Sequence, residues 1–515
     1  RVCSISVKKG TDIMETRLQW RLWIHRFVGS LAIALLVGCG TSGDGGPGTG
    51  VSASVRVSGT PTIGGLRSVN AFAWAPDSSR IAYLARQETT AQELFTTTPE
   101  SDADNVRVSG PLTDGANVDL FAWSPNLTIT NRIAYLADQD KINVPELYTS
   151  RPDGSANQNV SGPLDTGGRV RAFFEWVPPS VQSDTLVFLA SKDDFRKVEL
   201  YASFDNGLSI IKLSDPLIDG GDVVDFAISP DGQLVAYKAD AEFDGRFELF
   251  TVPVNRGSVV NVSRRSNNVL NVVDFAWAPD SSRIAFTAQN ELSGNTGGNV
   301  ELFTNRPRTI TPFRVSINLP FNGNVSDFRW SPNQSLIAYT ASATGGLPNK
   351  FELFSTRPDS QDNNQISGFL PNLSSVGAFA WSPNGRLVAF LADFNAVGIN
   401  ELLVTDPTVV FPTPVAVSGT LVTGGAVVLF QWAPNGSRIA YLADQFEDEK
   451  FELISVFPDI ANPLSPNIDL RRLSGRDLQG DVVQFDWAPN ASRIAYIADQ
   501  EVFGVFELFT NTPRG

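Results

Sequence analysis

Histidine, cysteine and methionine are nearly missing from this chain of 515 residues. The single histidine is His25, the single methionine is Met14, and the cysteines are Cys3 and Cys39. Beyond residue 39 none of the three types occurs. A body without histidine cannot build a Ser-His-Asp triad, and it lacks a principal zinc ligand. A body without cysteine has no disulfide, no thiol nucleophile and no thiolate metal site. No Gly-x-Ser-x-Gly elbow is present either. Positive charge is scarce: from Cys39 onward 34 Lys and Arg stand against 53 Asp and Glu, a formal net charge of −19. Such a surface repels nucleic acid and anionic headgroups. After residue 40 no stretch carries a helical period of apolar residues.

What the chain has instead is a repeat. A unit of about 50 residues recurs nine times, anchored on Trp74, Trp123, Trp176, Ile228, Trp277, Trp330, Trp381, Trp432 and Trp487. A Phe lies two residues before each anchor and a Pro two residues after it, from Phe72 and Pro76 to Phe485 and Pro489. Roughly twenty residues later comes a Glu-Leu pair, from Glu93-Leu94 to Glu507-Leu508. Periods of this length indicate solenoids or propellers. Each unit reads as four short strands. The first is Val-x-x-Phe-x-Trp, whose Phe and Trp share a strand face. A turn follows, such as Ser229-Pro230-Asp231-Gly232, in which Pro presets φ and Gly suits the last position. The second strand resembles Arg438 to Ala443, the third Phe247 to Thr251, and the fourth is short and ends in Val-Ser-Gly, as at Val417-Ser418-Gly419. Apolar residues on both faces suit sheets packed between neighbours.

The order of the fragments predicts closure. The first Val-Ser, Val57-Ser58, precedes the first Trp, and no Val-Ser follows Phe509-Thr510. The N-terminal strand can therefore complete the last blade, which removes exposed edges. The expected fold is all-β: a single β-propeller of about nine four-stranded blades over residues 55–515. Two smaller rings are the alternative.

Trp-Ser-Pro-Asn-Gly, then Val-Ala-Phe or Ile-Ala-Tyr, then Glu-Leu-Phe, resembles the PD40 repeat. This is the WD40-like propeller repeat of TolB-type proteins. The resemblance covers roughly residues 55 to 515 and recurs in all nine units. It implies a propeller. TolB propellers have six blades and an N-terminal domain that this chain lacks, so the resemblance does not bring TolB's partners with it.

The N-terminus reads as an address. Residues 1–13 read as an untranslated extension before Met14. Residues 14–39 read as a lipoprotein signal peptide: Arg17, Arg21 and Arg26 precede the apolar run Phe27 to Val37, which is too short to span a membrane. The run ends in the lipobox-like Leu36-Val37-Gly38-Cys39, with Cys39 as the lipidation site. Residues 40–54, rich in Gly and Ser, read as a flexible tether. Gly40 after the cysteine points to the outer membrane, with lipid as the only membrane contact.

Candidate site residues are few. The nine third-strand Glu residues recur too regularly for a site and are expected to bond to backbone or to a neighbouring blade. Asp138, Asp140, Asp240 and Asp244 lie in acidic loops after the second strand. They are weak calcium candidates, because hard oxygen clusters can bind that ion, but no EF-hand pattern accompanies them. No cofactor is expected. The loops Asn290 to Val300 and Ala343 to Phe351 vary most among the units, and loops on a rigid scaffold usually carry binding. Rim residues such as Asp444 and Asn295 are expected to tolerate substitution. The functional expectation is a non-catalytic, lipid-anchored protein of the cell envelope that binds a protein or glycan through its loops. The alternatives are a carboxylate-dependent enzyme on envelope glycans, which needs two acids across a cleft, and a sensor or assembly factor. An aromatic patch on one rim would favour a protein partner.

Overall fold

The computed structural model describes residues 55–59, 69–112, 115–125, 131–178, 184–265, 268–290, 298–343, 350–371, 374–395, 398–458, 469–474 and 480–514. Cys39, the lipobox residues Leu36, Val37 and Gly38, and Asn295 lie outside these. So does most of the variable loops of the fifth and sixth units.

Nine antiparallel sheets form one ring. The first blade comprises Val69–Trp74, Ile81–Ala85, Glu93–Thr98 and Ser101–Arg107. The last comprises Val482–Trp487, Ile494–Ala498, Glu507–Asn511 and, from the other end of the chain, Val55–Arg56. There Val55 pairs with Thr510 and Arg56 with Phe509, and the Val57 amide donates to the Leu508 carbonyl at 3.1 Å. The closure expected from the order of the fragments is thus present, and two separate rings are not. First strands of adjacent blades touch, Val69–Trp74 with both Val118–Trp123 and Val482–Trp487. First strands therefore line the axis and fourth strands the outside.

There is no single core. Nine apolar clusters fill the nine seams, each built from the facing sheets of two neighbours. The first strand explains its own pattern. Val69 and Phe72 are an odd number of residues apart, which would put them on opposite faces of a regular strand. A bulge between Val69 and Ala71 adds the extra residue. Val69, Phe72 and Trp74 then all enter one seam. The aromatic row continues across the sheet, where Phe72 pairs with Tyr83 and Tyr83 with Phe95. The Tyr83 and Phe95 rings stack at 5.7 Å.

The tryptophans add a polar stitch. Trp123 Nε1 donates to the Ala73 carbonyl of the preceding blade at 3.1 Å. Trp74, Trp176, Trp277, Trp330, Trp381, Trp432 and Trp487 each do the same one blade further round. Ile228 has no such donor; its backbone amide instead reaches the Glu175 carboxylate at 3.4 Å. Val-Ser-Gly lies just past the fourth strand rather than within it. Its serine accepts the third-strand Leu amide, as in Leu94 to Ser109 Oγ at 3.2 Å and Leu402 to Ser418 Oγ at 3.2 Å.

Candidate functional site

Seven of the nine third-strand glutamates find side chains on the fourth strand of their own blade, while Glu401 accepts the Asn395 backbone amide at 2.9 Å, a backbone partner as expected, and Glu352 meets Lys350 at 3.6 Å. Glu93 meets Arg107 at 3.2 Å, Glu199 meets Lys212 at 3.0 Å and Glu301 meets Arg314 at 2.7 Å. Asn159 and Asn261 donate to Glu146 and Glu248. Arg56 of the N-terminal strand serves Glu507 at 3.1 Å. Burial holds the Glu93 and Glu248 carboxyls above the ordinary carboxylate value.

The aspartates that end the second strands are clamps. Asp138 accepts from the Asn117 amide at 2.7 Å with one oxygen and from Asn143 at 2.9 Å with the other. Asp240 holds the Asp222 and Gly245 amides at 2.7 and 3.0 Å. Asp393, Asp444 and Asp499 repeat the pattern. One oxygen fixes the loop entering the blade, and the other fixes the amide five residues on. That fifth position needs positive φ: Gly245 has 73°, Gly398 84° and Gly504 77°, while Asn143 and Glu449 adopt 61° and 62°. The network then passes to the previous blade. The Gln92 amide donates to Asn117 Oδ1 at 2.9 Å, and the Val198 amide to Asp222 Oδ1 at 2.6 Å.

This placement bears on two expectations. The Asp138 and Asp240 carboxylates are occupied by backbone amides, whereas Asp140 and Asp244 are exposed. Among the described residues no three His, Cys, Asp or Glu gather into a metal site. Asp444, expected to be replaceable, is buried and holds Ala426 and Glu449 at 2.6 and 3.2 Å. The expectation fails because a side chain at a rim can still carry the loop's hydrogen bonds.

The sequence reading missed what the clamped loops display. In four of the five clamped loops an exposed apolar side chain stands between the aspartate and the amide it holds. Phe243, Phe446 and Phe503 are 55%, 46% and 62% exposed, and Ile142 is alike. Phe195 occupies the equivalent loop of the third blade. Phe321 and Phe369, in loops joining a fourth strand to the next first strand, are exposed on the same rim. Acids flank the rings, as in Glu242-Phe243-Asp244 and Phe446-Glu447-Asp448. The signal was available in the sequence: a large apolar residue recurs two to four positions after the clamp aspartate, in otherwise polar loops. The opposite rim also exposes apolar residues, chiefly Leu208, Ile310 and Val409 to Phe411. Among the described residues the aspartate clamp belongs to the first rim; on the opposite rim Asn364 accepts from the Phe411 amide at 3.3 Å and donates to the Val409 carbonyl at 2.7 Å.

A second irregularity lies on the inner strands. At the position before the Phe, apolar in blades one and two (Ala71, Leu120), blades four to six have Asp225, Asp274 and Asp327. Asp225 pairs across strands with Lys238, whose Nζ donates to the Val273 carbonyl of the next blade at 2.7 Å. Arg329 lies 3.6 Å from Asp327 and 5.5 Å over the Phe379 ring of the next blade. These groups join neighbouring blades within the seams.

No family model and no curated protein matches the chain. Among solved structures it is similar to an oligogalacturonate lyase in complex with manganese, at 14% identity and a TM-score of 0.41, covering 72% of this chain and 94% of that one. It is similar to a Mycobacterium tuberculosis puromycin-hydrolyzing peptidase at 13% identity and a TM-score of 0.39, covering 75% of this chain and 59% of that one. It is also similar to a putative TolB from Agrobacterium tumefaciens at 15% identity and a TM-score of 0.30, covering 59% of this chain and 94% of that one. The chain's own nine sheets define its fold, a nine-bladed β-propeller.

Proposed function

We propose that this propeller is a non-catalytic binding protein of the cell envelope, tethered by lipid at Cys39, and that its clamped rim receives a protein partner. One observation carries the reading. Phenylalanines stand exposed on loops that the structure holds rigid, although burying each ring would be worth about 1.5–3 kcal/mol. Apolar side chains held in water on fixed loops are what a partner's surface can bury without first paying to order them. Among the described residues every Trp and Tyr is buried, so the rim's rings are phenylalanines without a polar tip.

Two experiments test the proposal. Photo-crosslinking residues at Phe369 and Phe503 in the native envelope should capture the same protein, and one at Leu208 on the opposite rim should not. Equal capture from both rims would sink the reading. Independently, Cys39→Ser should abolish labelling by a palmitate analogue and leave the propeller folded. Persistent labelling would overturn the anchor.

A further inference from the structure

Resting on that reading, we infer that the rim's partner presents a cationic segment, its guanidinium groups lying on the phenylalanine rings between the loop carboxylates. The surface has two complementary parts. Ring faces are negative in their quadrupole and attract cations, arginine especially. Glu242, Asp244, Glu447, Asp448 and Glu501 are exposed beside them in the same loops. The protein already realises the ring contact and the loop-carboxylate contact with separate arginines of its own. The Arg246 guanidinium lies 3.8 Å over the Phe243 ring, and that of Arg472 lies 5.2 Å over Phe446. Arg264 meets the Glu242 carboxylate at 2.6 Å. A foreign arginine would find an exposed ring at Phe503 and an exposed carboxylate at Glu501, two positions earlier in the same loop. Charge selects the occupant further. The chain carries a formal net charge of −15, so an acidic partner or a second copy of this chain would meet repulsion across the rim. A glycan would lack the hydrogen-bonding edge that Trp or Tyr supplies beside a stacking face.

The test uses the full chain and labelled peptides, read by fluorescence anisotropy. Nona-arginine should bind, weaken with added salt, and bind at least fivefold more tightly than nona-lysine, because planar guanidinium stacks on rings and ammonium does not. Nona-glutamate should not bind. Combined Phe243→Ala, Phe446→Ala and Phe503→Ala should weaken nona-arginine at least tenfold at an unchanged melting temperature. Combined Leu208→Ser, Val410→Ser and Phe411→Ser on the opposite rim should leave it within twofold. Equal affinity for the two cationic peptides, or no loss on removing the rings, overturns the inference. So does ring-dependent binding of a peptidoglycan fragment in place of nona-arginine. If nona-arginine fails while crosslinks at Phe369 and Phe503 still capture a partner, the cationic inference falls and the rim reading stands. If both fail, both fall.

Discussion

At the scale of single residues, the repeat is a set of polar stitches laid over apolar seams. Trp381 shows both parts, being buried and donating to the Arg329 carbonyl at 3.1 Å. Trp381→Ala should cost roughly 3–5 kcal/mol, as large aromatic truncations in cores do. Chemical denaturation measures it, and a variant as stable as the parent would mean the seam does not depend on this ring. Asp444 should behave like a core residue despite its rim address. Asp444→Ala leaves two backbone amides without their charged acceptor, at a cost of about 2–3 kcal/mol. Glu447→Ala, three residues away and exposed, should cost less than about 0.5 kcal/mol. The pair of melting curves separates clamp from display. Sequence alone could not make that distinction. An aspartate followed by an acidic loop reads as solvated charge until the two amides it holds are seen.

At the scale of elements, strand number, order and closure were legible because the aromatic spacing is nearly invariant over nine copies. The first-strand bulge was not, since three residues between Val and Phe fit no regular strand. The fourth-strand partners of seven of the glutamates were also hidden, because the partner varies among Arg, Lys and Asn. The N-terminal strand is the element most open to test. Its Val57 is fully buried, and burial alone is worth about 1.5–3 kcal/mol. Removing the chain through Ser58 should cost more than that, because Glu507 also loses Arg56 and the edge Glu507–Asn511 is left unpaired. Unpaired edges recruit other strands. The shortened protein should therefore melt earlier and form sedimenting aggregates. A monomer with the parent's melting temperature would show that the ring does not need its latch.

At the scale of the whole molecule, pH should act in two opposite windows. Glu93, Glu248 and Asp481 are held above their ordinary values by burial. Their contribution to stability is complete below the unfolded value, 4.5 for glutamate and 3.8 for aspartate, and is lost as pH rises through the higher folded value. Asp153 and Asp469 are held low by Ser155 and Arg438 respectively. Their contribution is present above 3.8 and lost as pH falls through the depressed value. Glu248→Gln removes one term of the first kind. Its melting temperature relative to the parent should climb from pH 4.5 to pH 7, and a constant difference would refute the assignment. The latch strand has a consequence for synthesis as well. Val55–Arg56 is made first and finds its partner only when Glu507–Asn511 exists. Every other blade can assemble from strands made in succession, but the ring waits for Glu507–Asn511. Joining ends so far apart adds only logarithmically to the entropy of closure, yet such distant contacts form slowly. A ribosome that stops early thus releases a chain whose first strand is an unspent adhesive, and a chain that reaches Asn511 consumes it. Synthesis of the Glu507–Asn511 strand and loss of stickiness become the same event.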